Sequence, residues 1–318
     1  MQTALIAGGA GFIGSHLCKS LLKKDFKVLC VDNLITGDAK NIEDLRSNAN
    51  FIFLEKDVTK SLGDFDLKVD FIFHLASPAS PNKKCPKSYI NNPIETLLAN
   101  SVGTYNLLEL ARQTSAKFLF TSTSEVYGDP AVSPQPESYF GNVNPNGVRS
   151  VYDESKRFGE AATMAYVRKF DTDARIIRIF NTYGPYMQKD DGRVVSEFII
   201  QALTNKSFTI YGNGKQTRSF CYVSDMVDGI EKAMLTEGTK GEVINLGNPD
   251  ERTIIELVGI VNKICETSLE PVFEELPQDD PKIRKPDISK AEKLLNWKPN
   301  VGIEEGIEKT VEYFRSQI

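Results

Sequence analysis

Histidine is nearly missing from this chain: 318 residues contain two, His16 and His74. The five cysteines, at 18, 30, 85, 221 and 265, are scattered, odd in number and not spaced for a metal. These scarcities argue against a zinc site or a disulfide framework and predict reduced thiols and no bound metal. No apolar run approaches the length that crosses a bilayer, so no membrane association is expected. A positive excess is lacking too. Lys and Arg number 38 against 43 Asp and Glu, a formal net charge of -5, which speaks against a nucleic-acid surface. There is no internal repeat, low-complexity tract or long linker. The first apolar strand begins at residue 2, so no signal peptide is expected and a cytoplasmic location is.

What is present is an ordinary globular composition, 41% hydrophobic and 25% charged. The first half alternates apolar strand and helix. Strands are expected at 3–7, 27–31, 51–54, 71–75, 118–120 and 175–180. Continuous apolar strands separated by helices predict a parallel sheet covered on both faces, with ligands beyond the carboxyl ends of the strands. After about residue 181 the alternation gives way to turns such as Tyr211-Gly212-Asn213-Gly214, short strands and scattered helices. The expected class is α/β: a Rossmann-type doubly wound parallel sheet followed by a smaller C-terminal α/β substrate-binding domain. The division is placed at 1–180 and 181–318, with the segment of about 219–247 returning to the first domain.

Two motifs carry the chemistry. Gly8, Gly11 and Gly14, with Phe12 and Ile13 between them, follow the first strand and open a helix. Glycine at the tight turn permits unusual dihedrals, and missing side chains let the backbone approach a pyrophosphate at the helix N-terminus. Asp32 ends the next strand, 18 residues after Gly14, where a carboxylate accepts hydrogen bonds from the adenosine ribose hydroxyls and repels a 2′-phosphate. Asn33-Leu34-Ile35 follow, with no arginine, so NAD is expected over NADP. Asp57 and Val58, after the third strand, are placed to meet adenine; Asp57 serves equally well as a helix cap. Far downstream, Tyr152 and Lys156 stand one helical turn apart. A nearby ammonium and a cationic nicotinamide both favour phenolate, which makes Tyr152 a general base for an alcohol proton while hydride leaves. Each motif alone arises by chance. Their order, with a strand between them ending Thr121-Ser122-Thr123-Ser124-Glu125, is what points to a nicotinamide-dependent oxidation.

On these residues the chain resembles the extended short-chain dehydrogenase/reductases that modify nucleotide sugars. Further blocks are similar to the UDP-glucuronate decarboxylase branch of that family. They include His74-Leu75-Ala76-Ser77-Pro78, Ser122-Thr123-Ser124-Glu125-Val126-Tyr127-Gly128, Phe180-Asn181-Thr182-Tyr183-Gly184-Pro185, Gln216-Thr217-Arg218-Ser219-Phe220 and Asp279-Asp280-Pro281. The resemblance spans nearly the whole chain. It implies that Tyr152 and Lys156 oxidise the sugar C4 hydroxyl with NAD, that Thr123 hydrogen-bonds that hydroxyl, and that Glu125 lies near C5. It implies that Arg218 meets the glucuronate end, and that Asn181, Arg193, Tyr211, Gln216 and Arg284 hold the UDP moiety. It also extends the cofactor set to Asn33, Thr36, Gly37, Leu75, Ala76, Ser77, Asn100 and Thr121. A homodimer through helices of about 92–114 and 151–170 is implied as well.

The implied chemistry is sound in itself. Oxidation at C4 makes a carbonyl β to the C6 carboxylate, and a β-keto acid loses carbon dioxide as its electrons move into that carbonyl. Protonation at C5 and return of hydride to C4 complete the turnover, so NAD acts as a catalyst that is not consumed. Dehydratases of the same family typically carry an aspartic acid where this chain has Ser124. Loss of a hydroxyl needs an acid; loss of carbon dioxide does not. A 4,6-dehydratase or 4-epimerase remains the alternative enzyme, and an inactive cofactor-binding scaffold the alternative of another class. The chain departs from the family in Tyr186 after Gly184-Pro185 and in a longer 82–92 loop, which either borders the sugar with its lysines serving an acidic substrate or is a solvated loop. Trp297 is expected as a core anchor, and both histidines as structural.

Overall fold

The computed structural model describes residues 1–63, 68–275 and 283–318. The block Asp279-Asp280-Pro281 lies outside the described residues. Seven strands form one sheet: β1 (Thr3–Ala7), β2 (Lys27–Asp32), β3 (Phe51–Glu55), β4 (Phe71–His74), β5 (Lys117–Thr123), β6 (Ala174–Ile179) and the later strand Val243–Leu246. Their spatial order is β3-β2-β1-β4-β5-β6 and then Val243–Leu246, every pair parallel. The strands read as unbroken apolar runs because both faces are covered; every residue of β1 and of β4 is buried.

The order of strands reverses between β1 and β4, and there the connections leave the sheet in opposite directions. That divergence opens a crevice at the carboxyl ends. Helix α1 (Phe12–Lys23) follows β1 on one face and is met there by the helix Val223–Leu235. The other face carries α2 (Pro93–Leu98), α3 (Thr104–Thr114) and α4 (Ser150–Phe170). A single π-helical stretch, Ala99–Gly103, joins α2 to α3.

Beyond β6 the elements are small. Thr182–Tyr183 pairs with Cys221–Tyr222, Phe208–Tyr211 with Pro271–Glu274, and Thr217–Ser219 lies between Glu251–Thr253 and Ile283–Arg284. The helices Val194–Leu203, Ile254–Cys265 and Ile303–Arg315 pack among these strands. Trp297 is buried, and its indole N–H donates to the Asp225 carbonyl at 3.0 Å. His74 is buried against Thr104 at 3.0 Å and held neutral, its pKa pushed down to about 3 by burial and the Lys156 charge. His16 meets the Pro185 carbonyl at 2.9 Å. Among the described residues no helix is long and apolar enough to cross a membrane, and no His, Cys, Asp and Glu cluster fits a metal.

Candidate active site

The strand ends build a chamber of two connected cavities. The first, of about 210 Å³, lies over the carboxyl ends of β1, β4, β5 and β6. Its wall on the β1 side is the glycine turn. Gly8 takes φ +82°, and an added Cβ would stand 2.7 Å from the Ala76 amide nitrogen. A Cβ on Gly14 would stand 2.1 Å from the Gly8 carbonyl oxygen. Both positions therefore admit only glycine, and the turn leaves a bare backbone ledge at the start of α1. Gly11 caps that helix, and no side chain bonds the amides of its first turn. Open amides at a helix N-terminus suit a diphosphate.

At the end of β2, Asp32 is buried and accepts from the Ala10 amide at 3.0 Å and the Leu34 amide at 2.8 Å. Burial raises its pKa, while those two amides pull it back. A bare ledge beside a buried carboxylate fits an adenosine dinucleotide: diphosphate on the first, ribose hydroxyls on the second.

Of the expected cofactor residues, Gly8, Gly11, Phe12, Ile13, Gly14, Thr36, Leu75, Ser77, Thr121, Tyr152 and Lys156 line this first cavity. Asp32, Asn33, Gly37, Asp57, Val58, Ala76 and Asn100 are not among its lining residues. Asp57 accepts from the Thr59 amide at 2.8 Å and so caps its own turn. Asn100 is buried on the π-helical stretch and donates to Ser77 Oγ and Ser155 Oγ, each at 3.0 Å. It thereby couples the loop after β4 to the helix that carries Tyr152. A π-turn that re-aims one side chain is a frequent companion of functional sites.

Tyr152 and Lys156 share the buried face of α4. Lys156 Nζ donates to the Thr121 carbonyl at 2.8 Å and lies 5.8 Å from the Tyr152 ring centre. Thr123 hydrogen-bonds the Tyr152 phenol. The electrostatics differ from the phenolate expected beside an ammonium. Burial pushes Lys156 down to about 7, and burial with the nearby Glu125 carboxylate pushes Tyr152 up to about 12. Desolvation outweighs the attraction because both groups are almost wholly buried.

The second cavity, of about 620 Å³, opens toward the C-terminal part of the chain. Tyr211, Gln216, Arg218 and Arg284 line it, and Asn181, Arg193 and Glu125 line both cavities. Gln216 donates to the Tyr211 carbonyl at 2.6 Å, and Arg193 to the Ala79 carbonyl at 3.2 Å. Arg218 donates to the Thr217 carbonyl at 2.9 Å. Glu125 stands where the cavities join, clamped between Arg149 at 2.5 Å and Arg284. The two guanidinium groups overcome burial and hold its carboxyl far below the usual range. Ser124 is buried and lines the first cavity.

Three site residues were not singled out from the sequence. Tyr89 comes from the 82–92 loop and stacks on the Tyr152 ring. Arg149 caps the start of α4, three residues before Tyr152; that spacing is its only sequence cue. Asp153 is buried next to Tyr152, its carboxyl pushed well up by burial and the Glu125 charge.

The model of the NAD dependent epimerase/dehydratase family matches residues 4–247. UDP-glucuronic acid decarboxylase 3 of Arabidopsis thaliana is 49% identical over 99% of this chain and 89% of its own. UDP-glucuronic acid decarboxylase 1 of Xenopus tropicalis is 47% identical over 99% of this chain and 72% of its own. Among solved structures, UDP-glucuronic acid 4-epimerase from Bacillus cereus, in complex with UDP-glucuronic acid and NAD, superposes with a TM-score of 0.88. It is 30% identical, and the match covers 100% of both chains. With the glycine ledge, the buried strand-end carboxylate and the Tyr152–Lys156 pair in one chamber, this chain belongs to the NAD dependent epimerase/dehydratase family.

Proposed function

We propose that this chain decarboxylates UDP-glucuronate to UDP-xylose through a 4-keto intermediate, using NAD. The observation that carries the reading is the junction of the two cavities at Glu125. On one side stand Tyr152, Thr123 and Lys156; on the other, Arg218 and Arg284. A sugar bridging that junction places C4 at the phenol and its carboxylate among the arginines, an arrangement that matches a carboxylate in charge and fork geometry.

Gly8, Gly11 and Gly14 would hold the diphosphate of NAD and Asp32 its adenosine ribose, and the bound cofactor would supply the acceptor, and later the donor, of the C4 hydride. Tyr152 takes the C4 hydroxyl proton, and Thr123 orients the phenol. The buried Lys156 fixes the end of β5 through the Thr121 carbonyl. Glu125 stays ionised between its arginines and lies near C5, which takes a proton from solvent once carbon dioxide has left. Arg218 meets the C6 carboxylate, while Asn181, Arg193, Tyr211 and Gln216 hold the UDP. Arg284, which the resemblance assigns to UDP, also braces Glu125, so two arginines bracket the C6 end. Ser124 is too weak an acid to protonate a departing hydroxyl, which favours loss of carbon dioxide over loss of water.

The enzyme works, on this reading, as a dinucleotide domain of 1–180 with a returning segment of about 219–247 and a nucleotide-sugar domain of 181–318. It is cytoplasmic and a homodimer. The dimer is supported by an apolar strip that α2, the π-helical stretch and α3 leave exposed: Ile94, Leu97, Leu98, Val102 and Tyr105, with Phe158 on α4. Incubation with UDP-glucuronate and NAD, with products followed by mass spectrometry, tests the activity. Release of carbon dioxide with UDP-xylose is expected. UDP-galacturonate as sole product, or water loss from a dTDP-hexose without decarboxylation, would replace it with the epimerase or dehydratase reading.

A further inference from the structure

A lysine distant in sequence reaches the Asp32 corner. Lys87 belongs to the 82–92 loop, which holds its own shape. Asn91 Nδ2 donates to the Lys83 carbonyl at 2.9 Å and the Cys85 carbonyl at 2.7 Å, and Asn92 Nδ2 to the Pro86 carbonyl at 2.7 Å. Cys85, Ser88 and Tyr89 are buried and anchor it. From this frame Lys87 extends into the wall of the first cavity, which Gly8, Gly11 and Thr36 also line.

Lys87 Nζ donates to the Gly37 carbonyl at 3.3 Å, the long end of the normal range. Gly37 itself is pressed on Asp32: a Cβ there would stand 2.8 Å from Asp32 Oδ1. An ammonium in the cavity wall and a carboxylate just outside that wall therefore stand close enough for the Lys87 charge to act on Asp32. Their needs differ. Each oxygen of Asp32 already accepts a backbone amide. The ammonium offers three donors, and its weak bond to a neutral carbonyl leaves it able to take an anion.

We propose that Lys87 is a cofactor-specificity residue whose ammonium pairs with a phosphate on the adenosine 2′ position, so that the site admits NADP beside NAD. The proposal rests on the reading of the Asp32 corner as the ribose site. Asp32 alone repels a 2′-phosphate; a cation at the same corner offsets that repulsion. For NAD, whose 2′ group is a neutral hydroxyl, the same cation gains little. The cation that usually accompanies phosphate tolerance is sought just after the strand-end acid, and in this chain it arrives from another loop.

Displacement of fluorescent NADH from the full-length protein by NAD, NADP, ADP and 2′,5′-ADP tests this. Lys87→Gln should weaken NADP and 2′,5′-ADP by about tenfold or more, the scale of a hydrogen bond to a charged group, while NAD and ADP move by less than about threefold. Lys87→Arg should keep the wild-type ratio, which separates charge from loop packing. Equal weakening of NAD and NADP in Lys87→Gln, or a wild type that discriminates against NADP as strongly as Lys87→Gln does, would overturn the proposal while leaving NAD binding intact. A wild type that binds no NADH would overturn it together with the cofactor reading itself.

Discussion

The Tyr89 ring lies flat on the Tyr152 ring, centroids 4.9 Å apart and planes 5° apart. Tyr89 is 1% exposed, and its hydroxyl is buried without a hydrogen-bond partner. The stack fixes the plane in which the Tyr152 phenol points at the Thr123 side of the chamber. A stacked aromatic pair contributes about 0.5–1.5 kcal/mol beyond its burial. Tyr89→Leu should therefore lower kcat by about three- to tenfold with KM for UDP-glucuronate nearly constant. Tyr89→Phe, which keeps the stack and removes the orphaned hydroxyl, should retain wild-type kcat. Steady-state kinetics on the two variants decides; equal loss in both would show that the hydroxyl, and not the stack, matters.

Tyr152 itself is the proton acceptor in the proposed reaction. Tyr152→Phe should keep the fold and NADH binding but reduce turnover by about a hundredfold or more, the scale of a lost general base. Circular dichroism, NADH fluorescence and product formation check the three parts. Turnover like the wild type would remove Tyr152 from the mechanism.

Lys156 gives a pH signature. Its pKa in the folded protein is pushed down to about 7 by burial, from an ordinary value of 10.5. Between those values the unfolded chain binds the extra proton, so this group makes stability rise with pH from about 7 to 10.5. At and below about 7 the cost of enclosing a charged ammonium is fully present. Lys156→Met carries no such cost. Its Tm relative to wild type should be highest near pH 7 and below and fall steadily toward pH 10, measured by thermal melts without added dinucleotide. A Tm difference independent of pH would show that the ammonium is not desolvated.

Arg218 and Arg284 separate two ways of holding the substrate. Arg218→Leu should leave UDP affinity within about twofold while decarboxylation collapses, because the C6 carboxylate loses its partner. If UDP affinity instead falls by about 1.5–3 kcal/mol, the scale of a charge-assisted bond, Arg218 grips the diphosphate and the carboxylate belongs to Arg284. Calorimetry with UDP beside turnover of UDP-glucuronate reads both.

The apolar strip on α2 and α3 makes the association state testable. Tyr105 and Ile94 are 54% and 59% exposed. Ile94→Glu with Tyr105→Glu should shift a dimer to monomer in sedimentation at micromolar concentration, since burying two carboxylates without partners costs several kcal/mol. A wild type that is monomeric at the same concentration would remove the dimer from the reading.

Much of this site is written in short stretches of chain. Gly8 and Gly14 specify their turn locally, Gly8 by its positive φ and Gly14 because a Cβ would stand 2.1 Å from the Gly8 carbonyl oxygen. The period of the strands specifies a two-sided parallel sheet, and Tyr152 and Lys156 share a helix face by spacing alone. What only the tertiary structure decided is which distant groups converge, and with what charge. The four residues of the Glu125 cluster, with Arg149, Asp153 and Arg284, come from three separate segments. Tyr89 reaches Tyr152, and Lys87 reaches Asp32, from a loop whose sequence fits a segment bordering the sugar and a solvated turn equally well. Neither placement has a periodicity to betray it. The sign of each pKa shift was equally out of reach: proximity of Tyr152 to Lys156 suggests a lowered phenol, whereas enclosure raises it. Local sequence determines backbone shape through sterics and hydrogen bonding, but desolvation depends on everything packed around a group, and that exists only once the chain is folded.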